Sequence, residues 1–372
     1  MTDTVMTAPT PVFIDNDPNQ ITQDMIAWWE DQTDKTLQPA QVERLFINLL
    51  AYRESLWRAA ANQAALQNLV RFSAAPILDE LGYLVQVFRL PAQAAVCTVQ
   101  FTLPQAQAVD FVIAAGSQFG NGSIAFATDA DLTVPAGQLT VTGTATCTQT
   151  GAAGNGWTSG QLNQLLVDLS IDGVTVSNTE MTSGGADIES DEQLQERIIL
   201  APEAYTTAGS IGSYQFWAKS VSQTIIDVSV MTPGNGIVQL YLLTNTGLPN
   251  DALCTLVTAT VSAERRRPLT DQPNAQSPSI NAYGIDAVII PLADYDTDDV
   301  MERSAASLEV LTTALSSKMG QSVVCTQITT ALSVPGVFKV ILNSPAADIL
   351  IDKSEWSVLT GTNLTAGTPY DQ

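Results

Sequence analysis

The chain has 372 residues, enough for two or three domains, and a formal net charge of −23 from 38 acidic and 15 basic residues. A chain this acidic repels nucleic-acid phosphate and anionic lipid, so direct nucleic-acid binding is disfavoured, whereas a basic partner protein is compatible with it. Charged residues make up only 14% of the chain against 45% hydrophobic residues, which indicates either a surface covered by partners or a large apolar core beneath a Ser, Thr, Gln and Asn surface.

Two residue types limit the chemistry further. Histidine is absent, which excludes Ser-His-Asp and Cys-His nucleophilic sites and HExxH zinc sites. The cysteines are far apart among apolar residues, so we expect small buried thiols in a reduced protein, with two disulfides as the alternative. They are Cys97, Cys147, Cys254 and Cys325. The N-terminus MTDTVMTAPTP has no signal-peptide pattern and no apolar run approaches ~18 residues, so we expect a chain that is cytosolic or assembled in the cytosol, without membrane insertion.

Residues 1–90 are predicted to form an arm followed by helices. Residues 1–20 are polar and contain proline, which predicts an extended arm, and residues 22–31 predict a short helix carrying Trp28 and Trp29. Pro39 opens a long helix that is expected to reach about Phe72. Residues 75–83 predict another short helix, ending at Gly82.

The apolar positions of the long helix follow a heptad and predict a partner interface, called here the seam. The seam comprises Val42, Leu45, Leu49, Tyr52, Leu56, Ala59, Gln63, Leu66 and Val70. Gln63 is its one polar member, and a polar residue in such a seam can fix register or oligomeric state. One helix of an intramolecular bundle is the simpler interpretation. A bundle with partner chains is favoured because little else before Val70 could cover both the tryptophans and the seam.

Residues 91–180 predict a β-rich domain. Around Val96–Leu103 apolar and polar residues alternate with period 2, which predicts a strand. Short β-like pieces follow, separated by Gly, Asn, Pro and Asp, as is typical of a β-sandwich or barrel-like domain. The glycine-rich GAAGNGW at 151–157 lacks the spacing and the lysine of a phosphate-binding loop and is interpreted as a plain loop.

Residues 181–225 predict a helix hairpin. Ser190 and Gln193 form a capping-box pattern, with Asp191 and Glu192 in the first turn of the helix. Leu194, Ile198 and Ile199 are expected to form one apolar stripe, and Pro202 to stop the helix. Ser210 then starts a second helix, whose residues Tyr214, Trp217, Ala218 and Val221 share a face.

Residues 226–372 predict a two-layer α+β domain in the order ββαβααββ. A hairpin pairs strands 226–231 and 237–243, and a helix then runs from Asp251 to about Arg267. A long strand ends at PL (291–292), helices cover 299–319 and 322–332, and two strands finish the chain. The predicted fold class is therefore a multidomain α+β protein with an N-terminal helical segment, a β-rich sandwich or barrel-like middle and a C-terminal two-layer domain.

Three groups of charged residues are candidate sites, and each has a simpler explanation. The run Asp294, Asp296, Asp298 and Asp299 resembles a calcium loop but lacks the required glycine and glutamate, so capping of a helix by Asp299 and Glu302 is preferred. The acids Asp187, Glu189, Asp191 and Glu192 are better explained by helix N-terminal charge than by a glycosidase pair. The arginines Arg265, Arg266 and Arg267 could grip phosphate or an acidic subunit, but cations at a helix C-terminus are favoured in any case.

The order of parts in Gly184–Val221 resembles the signature of the baseplate J-like family, the wedge proteins of contractile phage tails and related injection machines. The signature positions are Gly184, Gly185, Asp187, Glu189, Ser190, Asp191, Leu194, Arg197, Pro202, Gly209, Gly212, Tyr214 and Ala218. PILDELGYLVQVFRLPAQAAVCTVQFTL upstream, the GAAGNG loop, and RRRPLTDQP and PGVFKVILNSP downstream are also similar to segments of this family, particularly of the J proteins of small contractile-tailed phages. The resemblance covers about residue 75 to the end.

The resemblance implies a structural wedge subunit without catalysis, cofactor or metal. Members of the family pair as two copies with one smaller wedge protein through a long-helix bundle, and their C-terminal domains join neighbouring wedges into a ring around the central hub and spike. By this analogy residues 42–70 belong to the bundle and the domain after Asp227 to the inter-wedge contact. The sheath initiator is a further implied partner. The implied location is the virion tail baseplate, assembled in the host cytoplasm, where the subunit transmits the contraction trigger.

The alternative function is a tail- or surface-associated protein that binds or hydrolyses glycans through the β-rich middle. Such a protein would need exposed aromatic side chains there. After Phe126 that region offers only Trp157.

Overall fold

A computed structural model describes residues 9–206 and 209–371. The first eight residues of the predicted arm, and Thr207 and Ala208 of the loop between the hairpin helices, lie outside the described residues. The chain forms two compact units, one made of the residues up to Arg89 with Ser190–Ile199, the other of Leu90–Glu189 and the residues from Leu200 onward. The backbone therefore passes from one unit to the other three times.

The first unit is helical. Its elements are α1 (Pro18–Thr33), α2 (Val42–Leu66), a 3-10 turn (Val70–Phe72), α3 (Ile77–Leu84) and α4 (Asp191–Leu200), whose last residue belongs to the other unit. α1 starts a turn earlier than predicted because Asp17 caps it, accepting from the Asn19 N–H at 2.9 Å, and Pro18 occupies the first turn. α1 packs against α2, where Ile21, Ile47 and Ala51 are buried.

Two helix ends in this unit differ from the prediction. α2 stops at Leu66 and not near Phe72, because the Asn68 amide donates to the carbonyls of Ala64 and Ala65 at 3.1 and 3.4 Å and so satisfies the end of the helix. α3 continues past Gly82, which serves close packing here: a Cβ on Gly82 would lie 2.5 Å from the Val87 carbonyl oxygen.

The second unit begins with the barrel-like sheet. Its strands are β1 (Ala94–Thr102), β2 (Phe111–Ile113), β3 (Gln118–Gly120), β4 (Ala125–Thr128), β5 (Leu132–Val134), β6 (Thr140–Thr150), β7 (Gln164–Leu165) and β8 (Thr175–Asn178). Six pair in the order β7-β3-β4-β6-β1-β8, with the end strands β7 and β8 close together, so that the sheet is nearly closed; β2 and β5 form a separate pair. The predicted alternation in β1 is confirmed, since Cys97, Val99 and Phe101 are buried.

The next part has its own core between two helices and a three-stranded sheet. Its elements are α5 (Ile211–Lys219), β9 (Ile225–Gly234), β10 (Ile237–Thr244), α6 (Asp251–Val261) and β11 (Gln272–Gln276). The β9–β10 hairpin is confirmed, and β11 joins it parallel to β10. β11 was not predicted because its sequence is polar and contains Pro273, which is tolerated since β11 is an edge strand.

α6 ends at Val261 and not near Arg267. The Arg266 Nη1 donates to the Thr260 carbonyl and the Arg267 Nε to the Ser262 carbonyl, each at 2.9 Å, so two of the three arginines serve the end of the helix. Arg266 also stacks on Trp217, 3.9 Å from the ring centroid. This arrangement leaves Arg265 as the exposed member of the run.

The last part packs two helices on a second three-stranded sheet. Its elements are β12 (Ser279–Pro291), α7 (Thr297–Ser316), α8 (Cys325–Leu332), β13 (Val337–Ser344) and β14 (Glu355–Ala366). β12 is central, antiparallel to β13 and parallel to β14. Asp296 caps α7, accepting from the Asp298 N–H at 2.9 Å, whereas Asp299 pairs with Arg303; the prediction that Asp299 and Glu302 form the cap is wrong.

The predicted fold class is confirmed: helices come first, a barrel-like sheet follows, and the C-terminal part is α+β. The α+β elements form two mixed sheets with separate cores where one sheet was expected. Within the described ranges, no helix is both long and apolar enough to cross a membrane.

Candidate functional site: the signature segment and the exposed face of helix α2

The signature segment, residues 184–221, begins by packing against the glycine-rich loop of the barrel. The Gly185 N–H donates to the Asn155 side-chain oxygen at 2.8 Å, and the Asn155 amide donates back to the Gly185 carbonyl at 2.7 Å. A Cβ on Gly185 would lie 2.5 Å from the Gly151 carbonyl oxygen. Only glycine permits this approach, so the loop is a structural partner of the signature segment.

Asp187 and Glu189 are acceptors for backbone amides and not helix-terminal charges as predicted. Asp187 Oδ1 accepts from the Ala152 N–H at 2.9 Å. Glu189 is 1% exposed; its Oε2 accepts from the Leu90 N–H at 2.9 Å, and its own N–H donates to the Leu90 carbonyl at 3.1 Å. Both carboxylates are therefore engaged in fixing the backbone.

In the helical unit the predicted capping box is confirmed. The Ser190 Oγ accepts from the Gln193 N–H and the Gln193 side chain accepts from the Ser190 N–H, each at 3.3 Å. Asp191, in the first turn, accepts from Arg89 at 2.7 Å and from the Ala75 N–H at 3.2 Å. Arg89 also pairs with Asp79 at 2.8 Å. Burial lowers the pKa of Arg89, but the hydrogen bonds and charges of these two carboxylates outweigh it and raise the pKa overall.

The buried side of α4 differs from the predicted stripe. Leu194 and Ile198 are buried as expected, but Ile199 is exposed. Arg197 takes its place: it is 5% exposed and its Nη2 donates to the Phe88 carbonyl at 2.6 Å. Arg197 belongs to the family pattern, but its burial was not predicted because an arginine is usually exposed unless it is paired.

After α4, Pro202 lies in a 3-10 turn, Ala201–Tyr205, and Ser210 caps α5 by accepting from the Ser213 N–H at 3.1 Å. The glycines of this stretch allow close approaches. A Cβ on Gly209, whose φ is +74°, would lie 2.7 Å from Asp271 Oδ2, and one on Gly212 would lie 2.7 Å from the Glu203 Cγ. These are packing roles.

Tyr214 and Ala218 are buried on the inner face of α5, as predicted. The Tyr214 hydroxyl donates to Asp271 Oδ2 at 2.7 Å. Burial raises the pKa of Tyr214, and the hydrogen bond to the Asp271 carboxylate raises it further. The neutral hydroxyl is therefore retained as a donor in the folded chain.

The seam on α2, in contrast, has no cover within the described part of the first unit. Val42, Leu45, Leu49, Tyr52 and Leu56 are 48–64% exposed. Gln63 is exposed as well, whereas Ala59 and Leu66 are half-buried. Val70 lies beyond the end of α2, in the 3-10 turn, so the prediction that it continues the helical seam is wrong. The opposite side of the helix, with Ile47 and Ala51, faces α1.

A second apolar stripe lies beside the seam and was not predicted. Phe46, Leu50 and Trp57 are 62%, 58% and 70% exposed. Each residue turns the helix by ~100°, so these three side chains lie within about 120° of the seam around the helix axis. The exposed side chains of the seam and of this second stripe together form an apolar arc, which covers roughly half of the helix circumference. A strict heptad assignment keeps only two positions in seven, so it misses a second stripe of this kind.

Neither of two grooves lined by described residues of the second unit shows an arrangement suited to nucleophilic chemistry. One groove, of about 490 Å³, includes Asp251 and Cys254, but burial raises the pKa of the Cys254 thiol and keeps it protonated. A groove of about 340 Å³ contains the Tyr214–Asp271 pair already described. Among residues 9–206 and 209–371, no group of three or more Asp, Glu or Cys side chains is placed to hold a metal ion.

Three family models match the chain, one over the barrel-like sheet and one over each α+β part. Residues 98–185 match the Baseplate J-like protein barrel domain, residues 206–277 the Baseplate J-like central domain, and residues 283–365 the Baseplate J-like protein C-terminal domain. These ranges coincide with the barrel-like sheet and the two α+β parts, and they leave the N-terminal helices and residues 186–205 outside.

Two individual proteins are similar to the chain. Baseplate protein J of Escherichia phage P2 is 29% identical over 212 residues, which cover 54% of this chain and 70% of that protein. A chain in the six-fold symmetrised cryo-EM structure of the anti-feeding prophage baseplate superposes with a TM-score of 0.42 and 14% identity, covering 91% of this chain and 90% of the other.

Proposed function

Because the chain belongs to the baseplate J-like family, we propose that it is a wedge subunit of the tail baseplate of a contractile phage or related injection machine. Its role in the baseplate is structural. The finer assignment is that α2 forms a helix bundle with a second copy of the chain and a smaller wedge protein. The observation that carries it is the exposed apolar arc of α2.

The energetics of this arc favour a bundle. Burial of one large apolar side chain contributes about 1.5–3 kcal/mol, so the eight exposed side chains of the arc represent a large driving force. Soluble monomers rarely expose a contiguous apolar surface of this extent. An arc that spans half of the helix has room for two further helices besides α1, and that number suits one helix from a second copy and one from a smaller partner.

The second unit would then supply the contacts around the ring. We propose that the part after Asp227 meets neighbouring wedges, and that the assembled ring surrounds the hub and spike and contacts the sheath initiator. A rearrangement of these contacts would pass the contraction trigger to the sheath. The support for this assignment is the match of residues 206–277 and 283–365 to the central and C-terminal domains of the family.

The experiment is co-expression of the chain with the products of its neighbouring genes, followed by co-purification and native mass. We expect Leu49→Asp with Leu56→Asp to abolish the complex while the chain remains folded, because the charges would be buried in the bundle. The matched control is Val109→Asp with Val112→Asp, which changes two exposed apolar residues of the barrel and should leave the complex intact. Wild-type-like assembly of the α2 variant would rule out the bundle.

The described structure does not favour the glycan-binding alternative. Phe101, Phe119 and Phe126 are fully buried in the barrel. Trp157 packs against the same core and its Nε1 donates to the Ala153 carbonyl at 3.3 Å. The barrel aromatics are thus committed to packing and are not displayed for sugar stacking.

A further inference from the structure

The last strand of the chain, β14, has a free edge. Within the described residues β14 pairs only with β12, and it is the outer strand of the sheet β13-β12-β14. Residues 360–363, 365 and 366 are exposed. Edge strands in soluble proteins are normally blunted by charges, proline or a bulge, because their unpaired amide groups are a template for another strand.

The direction of the free amide groups follows from the hydrogen bonds at the two ends of β14. The Gly367 N–H donates to the Ile289 carbonyl of β12 at 2.7 Å. Since successive residues of a strand direct their amide groups to opposite sides, Thr362, Leu364 and Ala366 direct theirs away from β12. At the start of the strand the outward Glu355 carbonyl already accepts from the Gly320 N–H at 3.0 Å.

A bulge limits the free edge to its C-terminal half. Leu359 is paired with Tyr283 and Gly361 with Gly284, so Thr360 is an extra residue on β14. The available edge is therefore Gly361–Ala366, a length suited to one short and specific pairing.

We propose that this edge pairs with the same edge of a second copy of the chain, antiparallel and across a two-fold axis centred on Leu364. In this register Leu364 lies opposite Leu364 of the second copy, and Thr362 lies opposite Ala366 of the second copy. Each such pair exchanges two hydrogen bonds, because both of its residues direct their amide groups outward. The inference rests on the proposed function, in which two copies of the chain meet in one baseplate.

Side-chain placement fits a self-pairing. Leu364 packs towards the core beneath α7 and α8, so the leucines meet on the covered face of the sheet. Asn363 and Thr365 alternate with it on the other face and would lie opposite each other, which gives a polar pair. A two-fold axis perpendicular to the sheet keeps the helices of both copies on one face and makes a continuous six-stranded sheet.

Charge also favours a second copy at this position. Two chains of net charge −23 repel each other, so a contact between copies requires an uncharged strip, and residues 356–370 contain no Asp, Glu, Lys or Arg. Asp286 of β12 lies beside this strip and accepts from Asn363 and Asn343 at 2.9 and 3.2 Å. The two copies of Asp286 would be three strand spacings apart, ~14 Å, beyond the Debye length of about 8 Å at physiological salt.

The test uses the full chain carrying Leu49→Asp and Leu56→Asp, so that association through α2 is removed. We expect sedimentation equilibrium to show a dimer in this background. Ala366→Pro removes an outward N–H at a position where an edge strand tolerates proline, and should raise the dimer dissociation constant roughly tenfold to thirtyfold. Ala366→Ser, which keeps the N–H, should stay within about twofold. A monomeric parent, or an unchanged constant for Ala366→Pro, would overturn the proposal.

A cysteine pair tests the register and does not depend on the proline variant folding. One preparation carries Asn363→Cys and another Thr365→Cys; oxidation of the mixture should give the mixed disulfide, and each preparation alone should give little. Disulfides formed equally well within each separate preparation would contradict the register. Ala366→Pro with intact α2 should still co-purify with the wedge partner. Loss of the dimer with the wedge complex intact therefore tests the pairing of β14 alone. The proposed function is tested separately, by whether the Leu49→Asp, Leu56→Asp variant loses the wedge complex. Capture of a foreign strand by β14 in the complex, with no dimer, would also overturn the inference.

Discussion

Helix α2 and the signature segment use their side chains in opposite ways. The arc of α2 exposes eight large apolar residues that the first unit leaves uncovered. The distinctive residues of the signature segment instead make contacts within the chain. Gly185 lies close to Gly151, Glu189 accepts a hydrogen bond from the Leu90 N–H, and Tyr214 donates one to Asp271. The comparison teaches that a recognisable motif can consist of residues that hold the chain itself together. The surface offered to partners is indicated instead by large apolar side chains that the chain leaves exposed.

If this contrast is correct, changes in the signature segment destabilise the isolated chain. The largest effect is expected for Gly185→Val, since even a Cβ would lie 2.5 Å from the Gly151 carbonyl oxygen and 2.9 Å from the Asn155 side chain. We expect the free energy of unfolding, measured with urea, to fall by about 2–4 kcal/mol. Gly361→Ala is the control, because a Cβ there meets nothing within 4 Å. Equal stability of the two variants would break the comparison.

A smaller loss is expected for Tyr214→Phe, which removes the hydroxyl that donates to Oδ2 of the half-buried Asp271. The cost should be about 1–2 kcal/mol at pH 7. The raised pKa means that the folded chain holds the tyrosine proton to higher pH than the unfolded chain does. Its stabilising contribution is therefore complete below about pH 10, the unfolded value, and is lost as pH rises towards the folded value.

The unfolding free energies of wild type and Tyr214→Phe should accordingly converge above about pH 10. Urea titrations at pH 7 and at several values above pH 10 check this. If the free energies of unfolding of wild type and Tyr214→Phe differ by the same amount at every pH in that range, the Tyr214 hydroxyl does not retain its proton more strongly in the folded chain.

The smallest effect on the isolated chain is expected on α2. Leu50→Ser with Trp57→Ser changes two residues of the unpredicted stripe, and exposed sites usually alter stability by less than ~0.5 kcal/mol. The same variant should lose the smaller wedge partner in co-purification. A stability loss comparable to that of Gly185→Val would mean that the stripe is packed within the chain, and the comparison would fail.

Local signals were readable from the sequence. The Ser190–Gln193 capping box, the alternation of β1 and the β9–β10 hairpin each depend on neighbours within a few residues, and all three are present in the structure. Features that depend on distant chain were not readable. The buried Arg197 requires the Phe88 carbonyl, and the position of Arg266 requires the ring of Trp217 on which it stacks.

The same distinction explains the sheets of the C-terminal part. β11 has too little apolar pattern to be recognised, and nothing in its sequence states that it pairs parallel with β10. Without it, the hairpin and the later strands were assigned to one sheet. The free edge of β14 could not be predicted either, because a strand lies at an edge only if no other strand of the fold pairs with its outer side.

The chain path through α4 has a mechanical consequence. Because the backbone leaves and re-enters the helical unit around Ser190–Ile199, three covalent connections join the two units, where a single linker would give one. A force applied to the helical unit is then shared among three backbone connections, and proteolysis of any one connection leaves the other two intact. Removal of residues 1–89 would expose the apolar side chains of Leu194 and Ile198 on α4, which are buried in the intact chain. Residues 190–199 therefore leave the second unit and return to it, so the helical unit is attached to the second unit at three points of the backbone.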